Sequence, residues 1–424
     1  MSLSSALGSS NHHHHQRHQS SSNKQGGTQQ QKQQQQQRGL QSPLILAANK
    51  KAIPDQQITD IGKSGGWKLR GGELDSFVRG SVSWNSTGSW LAWSSNDRHG
   101  KIWTIEGGSA REVVVISGHE KELDRVRFHP TDPNLLLSTA LDRTIRLWDI
   151  RGGSQRSVGL INLQCPIEYG YCPLSAEWGG NGNRSNNIVI VERDSRVHIY
   201  DSRKIRATGT TLSRNNDIVN SSDSSAYKMY DLKPNIVEGC RISPNGDYIV
   251  ATTRPRGMEG GGMGQLRIWP YNDEGENNNN TDEVYYYPGH TGAIYDFCFS
   301  PDGNVLATGG SDSVVGLWNT EYMICTKNIT NRTKFVRSVS FSKDSKLIAN
   351  STEEDGIDIA NSSTGEHVGT IYLQANKRGG ADEISFHPKE KHVLACVRCY
   401  TDLPPGSLPP PVAVAKWNFG EKRI

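Results

Sequence analysis

Short runs of aliphatic and β-branched residues recur along the chain, and turn-forming residues separate each run from the next. Between 118 and 149, Gly118-His119 is followed by three such runs, at 125–128, 135–141 and 144–149. Runs of this length and composition, bounded by Gly, Pro, Asn and Asp, are typical of antiparallel strands joined by tight turns. This stretch therefore predicts one compact unit of short strands.

The unit recurs further along the chain with nearly the same spacing. His119 precedes Asp142 by 23 residues, and His290 precedes Asp312 by 22 residues. In both units a Trp follows the Asp by six residues, at Trp148 and Trp318. The agreement indicates an internal repeat, which favours a ring or array of small sheets over a single open sheet.

Less regular copies extend the repeat over most of the chain, and the prediction is an all-β ring of seven units. Tyr200 stands at the Trp position in the third unit, and 356–360 (Gly-Ile-Asp-Ile-Ala) replaces the Trp-bearing strand in the sixth. Polar insertions near 213–225, 257–264 and 403–411 are predicted to be surface loops. The units are expected at about 76–106, 118–149, 155–202, 228–271, 289–319, 330–373 and 381–420.

These motifs resemble those of WD-repeat proteins, whose four-stranded unit opens near Gly-His and closes near Trp-Asp. The resemblance implies a seven-bladed β-propeller in which a His, a Ser or Thr, an Asp and a Trp form a buried hydrogen-bonded network in each regular blade. Burial of polar groups requires that each finds a partner, so a structural role is expected for them. They are His119, Ser138 (or Thr139), Asp142, Trp148, His290, Thr308, Asp312 and Trp318.

Closure of the ring needs an outer strand for the last unit. Only six residues follow Asn418, which is too few for a good strand. Trp67-Lys68-Leu69 is predicted to supply it, because a strand borrowed from the other end of the chain removes a free sheet edge.

Composition divides the 424 residues into three parts: a disordered tail at 1–65, the propeller at 66–420 and a short end at 421–424. The tail holds a His run and a Gln tract and has too little apolar material to form a core. Residues 1–60 contain six basic and two acidic residues, so the overall charge of +3 leaves −1 for the rest. That balance disfavours an autonomous nucleic-acid-binding domain and leaves room only for a local basic patch.

No pattern of catalytic or cofactor chemistry stands out from the repeat. Cys396 and Cys399 form a Cys-x-x-Cys without a second ligand pair, so no metal site is predicted. The Gly-rich stretch at 257–264 lacks the residues that follow a phosphate-binding loop, and no apolar run is long enough to cross a membrane. The expectation is a protein that is not an enzyme and has no cofactor, metal, membrane or small-molecule substrate.

Binding of other proteins is the remaining function that this fold supports. In such rings the residue four positions before the aromatic residue of each inner strand tends to point at the upper rim of the central channel. Arg and Tyr are enriched in interface hot spots, so Arg337 and Tyr295 are the favoured anchors; ordinary solvated rim charge is the alternative. The partner-binding candidates by that count are Asp124, Glu238, Tyr295, Arg337 and Asp382.

A closer resemblance, over 66–420, is to the WD-repeat subunits of THO complexes within the transcription-export assembly (TREX). It is carried by 127–133, by 142–151, by 336–342 and above all by the Trp-less segment 353–360. It implies a nuclear, non-enzymatic scaffold that couples transcription elongation to mRNA packaging and export, and that contacts a large helical scaffold subunit, with RNA contact being indirect. The alternatives are an adaptor of a histone-modifying or ubiquitin-ligase complex, and a propeller that binds RNA directly.

Overall fold

A computed structural model describes the chain from residue 53 onward with gaps. The chain separates into two units, Met1–Asn49 and Lys50–Ile424, and every described residue belongs to the second. The described residues are 53, 57–61, 80–94, 98–106, 109–151, 157–163, 175–180, 184–192, 195–205, 210–212, 218–219, 227–256, 262–271, 284–373, 380–399 and 412–417. No helix among them is long and apolar enough to cross a membrane.

The described residues form seven sheets of a β-propeller, each built on four antiparallel strands, and we number the sheets in chain order. Within each sheet the strands are given from the inner to the outer. Sheet 1 contains Val82–Trp84, Trp90–Ser94, Gly100–Glu106 and Ser109–Ile116. Sheet 2 contains Leu123–Phe128, Leu135–Ala140, Thr144–Asp149 and Ser157–Leu163. Sheet 3 contains Ser175–Trp178, Asn187–Val191, Arg196–Asp201 and Tyr227–Asp231.

The remaining sheets repeat this arrangement, and a short 3₁₀ helix, Ser202–Lys204, follows the third strand of sheet 3. Sheet 4 contains Ile236–Ile242, Tyr248–Arg254, Gly264–Pro270 and Tyr285–His290. Sheet 5 contains Ile294–Phe299, Val305–Gly310, Val315–Asn319 and Ile324–Ile329. Sheet 6 contains Ser338–Phe341, Leu347–Ser351, Ile357–Asn361 and His367–Ile371. Sheet 7 contains Gly380–Phe386, Val393–Cys399, Val412–Lys416 and Gln57–Ile61.

The inner strands contact one another in a closed cycle, from sheet 1 through sheet 7 and back to sheet 1. Buried apolar side chains form seven clusters, one between each pair of neighbouring sheets. No sheet buries both of its faces alone, so each one depends on its neighbours for stability. The seven-bladed propeller predicted from the repeats is confirmed.

The sequence repeat and the sheet are offset by one strand, which corrects the reading of 118–149 as one complete blade. Gly289-His290 ends the outer strand of sheet 4, and the three strands that follow form the inner part of sheet 5. Each repeat thus ties one sheet to the next, because its outer strand pairs with the preceding sheet.

The strand that closes the ring comes from the N-terminal side, but from a different segment than predicted. Gln57–Ile61 pairs antiparallel with Val412–Lys416. Trp67-Lys68-Leu69 lies outside the described residues, and the closing strand falls within the stretch predicted to be a tail. A five-residue polar strand of this kind carries little pattern of its own, because pairing with the edge of sheet 7 supplies its hydrogen bonds.

The insertion near 213–225 also differs from its prediction as a loop next to the fourth unit. It lies between the third and outer strands of sheet 3, and two short strands flank the gap at 213–217. Thr210–Leu212 pairs parallel with the outer strand of sheet 2, and Ile218–Val219 pairs with Thr210–Leu212. Sheet 2 therefore has six strands, since main-chain pairing across an exposed edge does not require an apolar pattern. The predicted loops at 257–261 and 403–411 lie outside the described residues.

The two faces of the ring differ in their connections. We call the face at which the first strands begin the upper face, and the face at which they end the lower face. On the lower face the turns between first and second strands contact one another: Ser86 Oγ donates to Thr131 O at 3.2 Å, and the Asp302 amide donates to Ser345 Oγ at 3.2 Å. Contacts between neighbouring turns strengthen the junctions between sheets.

On the lower face, hydrogen bonds of His387 join sheets 7 and 1. His387 Nε2 donates to Gly88 O at 2.9 Å, while His387 Nδ1 accepts from the amides of Lys389 and Glu390. Gly88 has a φ of +77°, and a Cβ there would lie 2.2 Å from the imidazole of His387. A glycine is required both for the backbone conformation and for the close approach.

Candidate functional site

The eight residues predicted to form blade networks lie within hydrogen-bonding distance of one another in two groups of four. In sheet 2, Trp148 Nε1 donates to Ser138 Oγ at 2.7 Å, and Ser138 Oγ lies 2.7 Å from His119 Nε2. His119 Nδ1 lies 2.9 Å from Asp142 Oδ2. The chain of donors is consistent with a neutral imidazole that donates from Nδ1 and accepts at Nε2.

The second group repeats this geometry in sheet 5. Trp318 Nε1 donates to Thr308 Oγ1 at 3.0 Å, Thr308 Oγ1 lies 2.8 Å from His290 Nε2, and His290 Nδ1 lies 2.9 Å from Asp312 Oδ1. Each Asp also accepts the backbone N–H that follows the His, from Glu120 in sheet 2 and from Thr291 in sheet 5. The network thereby joins the loop before the first strand to the turn between the second and third strands.

Burial and hydrogen bonding set the ionisation of these groups. Burial lowers the pKa of His119, which favours the neutral ring. Burial by itself raises the pKa of Asp142, but hydrogen bonds from His119, Thr144 and the Glu120 amide outweigh it and hold the pKa at about 2. The carboxylate is therefore charged at neutral pH and acts as a fixed acceptor.

Ser138, His119 and Asp142 follow the same order of contacts as a serine-hydrolase triad. Their surroundings differ from those of a nucleophile, because the side chain of Ser138 is fully buried and its Oγ is already held by the Trp148 indole. No substrate carbonyl can reach that oxygen in this packing. The geometry supports a structural role for the network.

In sheet 6 other residues link the loop before the first strand to the turn between the second and third strands. The sequence reasoning missed them. Arg332 is aligned with His290 and precedes Glu354 by 22 residues, as His290 precedes Asp312. Glu354 Oε1 accepts from the backbone amides of Thr333 (2.6 Å) and Lys334 (2.9 Å). The spacing shared with sheet 5 was the signal that identifies this substitution.

The Arg332 guanidinium lies in the interior of sheet 6. Its Nε lies 2.9 Å from Asp358 Oδ2 as an ion pair, and the side chains of Arg332 and Asp358 are 2% and 0% exposed. The two terminal nitrogens donate to the carbonyls of Asp355 and Gly356, and Thr370 donates to Asp358 at 2.6 Å. The small Ala360 stands at the position that Trp318 occupies in sheet 5.

The partner-binding candidates share one backbone feature. Asp124, Glu238, Tyr295 and Asp382 are each the extra residue of a β-bulge in the first strand of a sheet. Arg337 directly precedes the first strand of sheet 6. A bulge re-aims the side chain that it carries, and all five positions lie at the upper ends of the first strands.

The structure brings three of these five residues together. Tyr295, Arg337 and Asp382 line a small open depression with Arg125, Arg127, Asp296, Ser338 and Glu383. Glu238 lies apart and pairs with Arg254, and Asp124 is not among the lining residues. Arg337 forms an ion pair with Glu353, and Tyr295 lies 6.0 Å from the ring of Phe335, which is 47% exposed.

Several of these lining residues belong to a network of charged and polar side chains that links the inner strands of the ring. Arg127 Nε lies 2.9 Å from Glu177, and Arg127 Nη2 lies 2.8 Å from Glu383. Arg241 lies 3.2 Å from Asp296, whose second oxygen accepts from Ser338 Oγ at 2.9 Å. The network includes residues from sheets 2 to 7. Arg127 Nη1 also donates a hydrogen bond to Ser81 Oγ, next to the first strand of sheet 1, at 2.6 Å.

The charges in this network balance one another. Burial lowers the pKa of Arg127, but Glu177 and Glu383 outweigh it and raise the pKa above its usual value. Burial raises the pKa of Glu177, yet Arg127, Arg241 and Arg125 hold it at about 2. For Glu383 burial prevails over Arg127 and Arg125, so the pKa is raised. Sequence reasoning missed these residues, because alternation along one strand does not show that charged side chains from five sheets converge.

Among the described residues no group of three or more His, Cys, Asp or Glu side chains is placed to hold a metal ion. The repeated Trp positions are occupied by core residues: Trp148, Trp269, Trp318 and Trp417 are buried, and Trp103 packs against the cluster between sheets 7 and 1. These aromatic side chains therefore pack between neighbouring sheets.

Comparison with known proteins agrees with this architecture. The WD domain, G-beta repeat family matches residues 110–149 and 281–319, the two regular units with their preceding outer strands. The chain therefore contains WD repeats and has the fold of a seven-bladed β-propeller.

Among curated proteins the chain resembles THO complex subunit 3 of Arabidopsis thaliana, with 26% identity over 73% of this chain and 83% of that protein. It is 23% identical over 62% of its length to WD repeat-containing protein AAC3 of Dictyostelium discoideum, of which it spans about half (51%). A shorter match, 31% identical over 22% of this chain, covers 9% of mouse Periodic tryptophan protein 2 homolog.

Proposed function

We propose that this chain is a nuclear, non-enzymatic scaffold subunit of a THO complex within TREX. In this role it couples transcription elongation to mRNA packaging and nuclear mRNA export through protein–protein binding. The proposal rests on the resemblance to THO complex subunit 3 along most of both chains and on a ring that offers a shaped upper face. The partners are other THO subunits, in particular a large helical scaffold subunit.

The observation that carries the choice of face is the convergence of Tyr295, Arg337 and Asp382 on one depression. Phe335 adds exposed apolar surface beside Tyr295. An aromatic anchor next to a charged pair, around a concave centre, has the composition of an interface hot spot. Arg337 and Glu353 lie at the rim and are partly exposed, so a partner can reach them without unfolding the charged network.

Co-purification tests the proposal with the full chain. The Tyr295→Ala/Arg337→Glu variant removes the aromatic anchor and reverses the charge at the rim. We expect recovery of the helical scaffold subunit to fall at least tenfold, because truncation of a hot-spot residue costs about 2 kcal/mol or more. The matched control is Tyr248→Ala/Arg203→Glu, which makes the same two changes at exposed positions of the lower face.

The outcomes separate the alternatives. Undiminished recovery of the other subunits by a folded Tyr295→Ala/Arg337→Glu variant would exclude the upper rim as the docking site. Mass spectrometry of proteins bound to the wild-type chain separates the functions: methyltransferase or cullin components in place of THO subunits would replace the proposal with the adaptor of a histone-modifying or ubiquitin-ligase complex.

A further inference from the structure

The lower face of sheets 6 and 7 carries a cluster of exposed lysines. Lys343 and Lys346 lie in the turn after the first strand of sheet 6, and Lys389 and Lys391 lie in the equivalent turn of sheet 7. Lys416 ends the third strand of sheet 7 and is 62% exposed at its side chain. We call these five residues the lysine patch.

The two turns lie side by side. The Phe386 amide, at the lower end of the first strand of sheet 7, donates to Ser340 Oγ of sheet 6 at 3.1 Å. Burial lowers the pKa of His392 in the sheet 7 turn, Lys391 lowers it further, and Asp344 in the sheet 6 turn opposes them. Charged groups from both turns thus act on one imidazole, which agrees with the close approach of the two turns.

The nearby carboxylates have structural partners. Asp344 Oδ1 accepts from Ser342 Oγ at 2.8 Å and from the Lys346 amide at 3.3 Å, which closes the turn. Glu390 pairs with Lys416 at 2.9 Å. Within the part of the chain that the structure describes, Lys343, Lys346, Lys389 and Lys391 form no ion pair through their ammonium groups.

The fold does not require these lysines. Sheets 4 and 5 build the same turn from Pro244-Asn245-Gly246 and Pro301-Asp302-Gly303, with a Ser whose Oγ accepts the amide at the start of the second strand. Ser342 does the same in sheet 6. The turn therefore forms without basic residues, and their concentration in two adjacent sheets calls for a functional reason.

We propose that the lysine patch binds the phosphate backbone of nucleic acid. Lysine ammonium groups are point charges that neutralise phosphates without fixing sequence. A protein partner would need an apolar anchor, but none of the large apolar side chains that are exposed among the described residues lies on the lower face of sheets 6 and 7. Residues 61–424 carry a net charge of −1, so binding by the propeller itself depends on this local patch and is sensitive to salt.

Fluorescence anisotropy with labelled mixed-sequence single-stranded RNA tests this inference, and duplex DNA in a second arm distinguishes the source of the phosphates. The full-length Lys343→Glu/Lys389→Glu/Lys391→Glu variant should bind on the order of 10- to 100-fold more weakly than wild type at low salt. The slope of log affinity against log salt for RNA should decrease by about 2, since about 0.7 counterions are released per contact with a single strand.

Two further variants keep the test decisive. Arg98→Glu/Lys121→Glu/Arg256→Glu makes the same charge change at exposed positions of the upper face and should bind like wild type. Lys343→Arg/Lys389→Arg/Lys391→Arg should retain binding, because charge rather than lysine itself is required. The basic N-terminal residues are present in every variant, so their contribution cancels.

The inference fails if the lower-face Glu variant, with an unchanged thermal unfolding curve, binds RNA and DNA as wild type does. It also fails if both Glu variants weaken binding equally, because the effect would then reflect net charge alone. Displacement of RNA by polyglutamate from wild type but not from the Arg variant would indicate a lysine-specific acidic protein partner, and would replace nucleic acid as the occupant.

Discussion

Sheets 5 and 6 both link the loop before the first strand, the turn between the second and third strands, and the third strand itself. They do so with different side chains. In sheet 5 a chain of hydrogen bonds runs from Trp318 through Thr308 and His290 to the Asp312 carboxylate. In sheet 6 the aligned positions hold Ala360, Asn350, Arg332 and Glu354, and a buried ion pair between Arg332 and Asp358 fills the interior. The two sheets thus share the same backbone connection, although different residues make it.

The two solutions differ in what the loss of one member leaves behind. A hydrogen-bonded chain that loses one group leaves neutral polar atoms unpaired, each costing about 1–3 kcal/mol. An ion pair that loses one member leaves a buried charge, and the protein must either keep the charge at a high cost or protonate it. Sheet 6 should therefore be the more sensitive of the two to single substitutions.

The largest effect is expected from Arg332→Met, which removes the guanidinium paired with the buried Asp358 carboxylate. We expect the free energy of unfolding to fall by about 3–5 kcal/mol, measured from urea unfolding curves of the full chain. In Arg332→Met/Asp358→Leu both charges are gone, and most of the loss should be recovered. A single variant that loses less than about 1 kcal/mol would show that the pair does not stabilise sheet 6.

Thr308→Val should have the next largest effect. It removes the hydroxyl that bridges Trp318 and His290 and leaves two buried nitrogens without partners, so we expect a loss of about 2–3 kcal/mol. Thr308→Ser, which reproduces the Ser138 arrangement of sheet 2, should be nearly neutral. The aligned Asn350→Leu change should cost less, because the Asn350 amide nitrogen makes no hydrogen bond within the described residues. Equal losses for Thr308→Val and Asn350→Leu would contradict the contrast between the sheets.

The pH dependence of stability should be the smallest of the three effects. Asp142 has its pKa lowered from 3.8 to about 2 in the folded protein, so the unfolded chain binds the proton more tightly. Its stabilising contribution is complete above the unfolded pKa and is lost as the pH falls between about 5 and 2. Asp142→Asn should remove roughly 1–2 kcal/mol of that dependence, measured as a shallower fall of the urea midpoint with acid. Glu177, which is lowered similarly, keeps a second acid-dependent contribution in the variant, so part of the fall should remain. If the urea midpoint of Asp142→Asn falls with acid as steeply as that of wild type, Asp142 does not contribute to the pH dependence.

The strand runs, the repeat spacing and the number of sheets follow from the sequence, because period-two alternation and turn residues are local signals. The network around His119 and His290 follows as well, since its members keep a fixed spacing within one repeat. The pairing of Gln57–Ile61 with the last sheet does not, because strand partners distant in the chain are chosen by the edge that is available. The same limit applies to Thr210–Leu212, whose pairing with sheet 2 leaves no mark in its own residues.

The sequence by itself determined that this protein is a seven-bladed WD-repeat propeller that resembles THO complex subunit 3, because repeats and their irregular copies are written in linear spacing. Only the tertiary structure decided which side chains meet. Arg127, Glu177 and Glu383 lie about fifty residues or more apart in the chain, yet they form one network. Tyr295 and Asp382 line one depression, and the lysines of sheets 6 and 7 share one face. Closure of the ring brings distant residues to a common radius and a common face, which no spacing within a single repeat can encode.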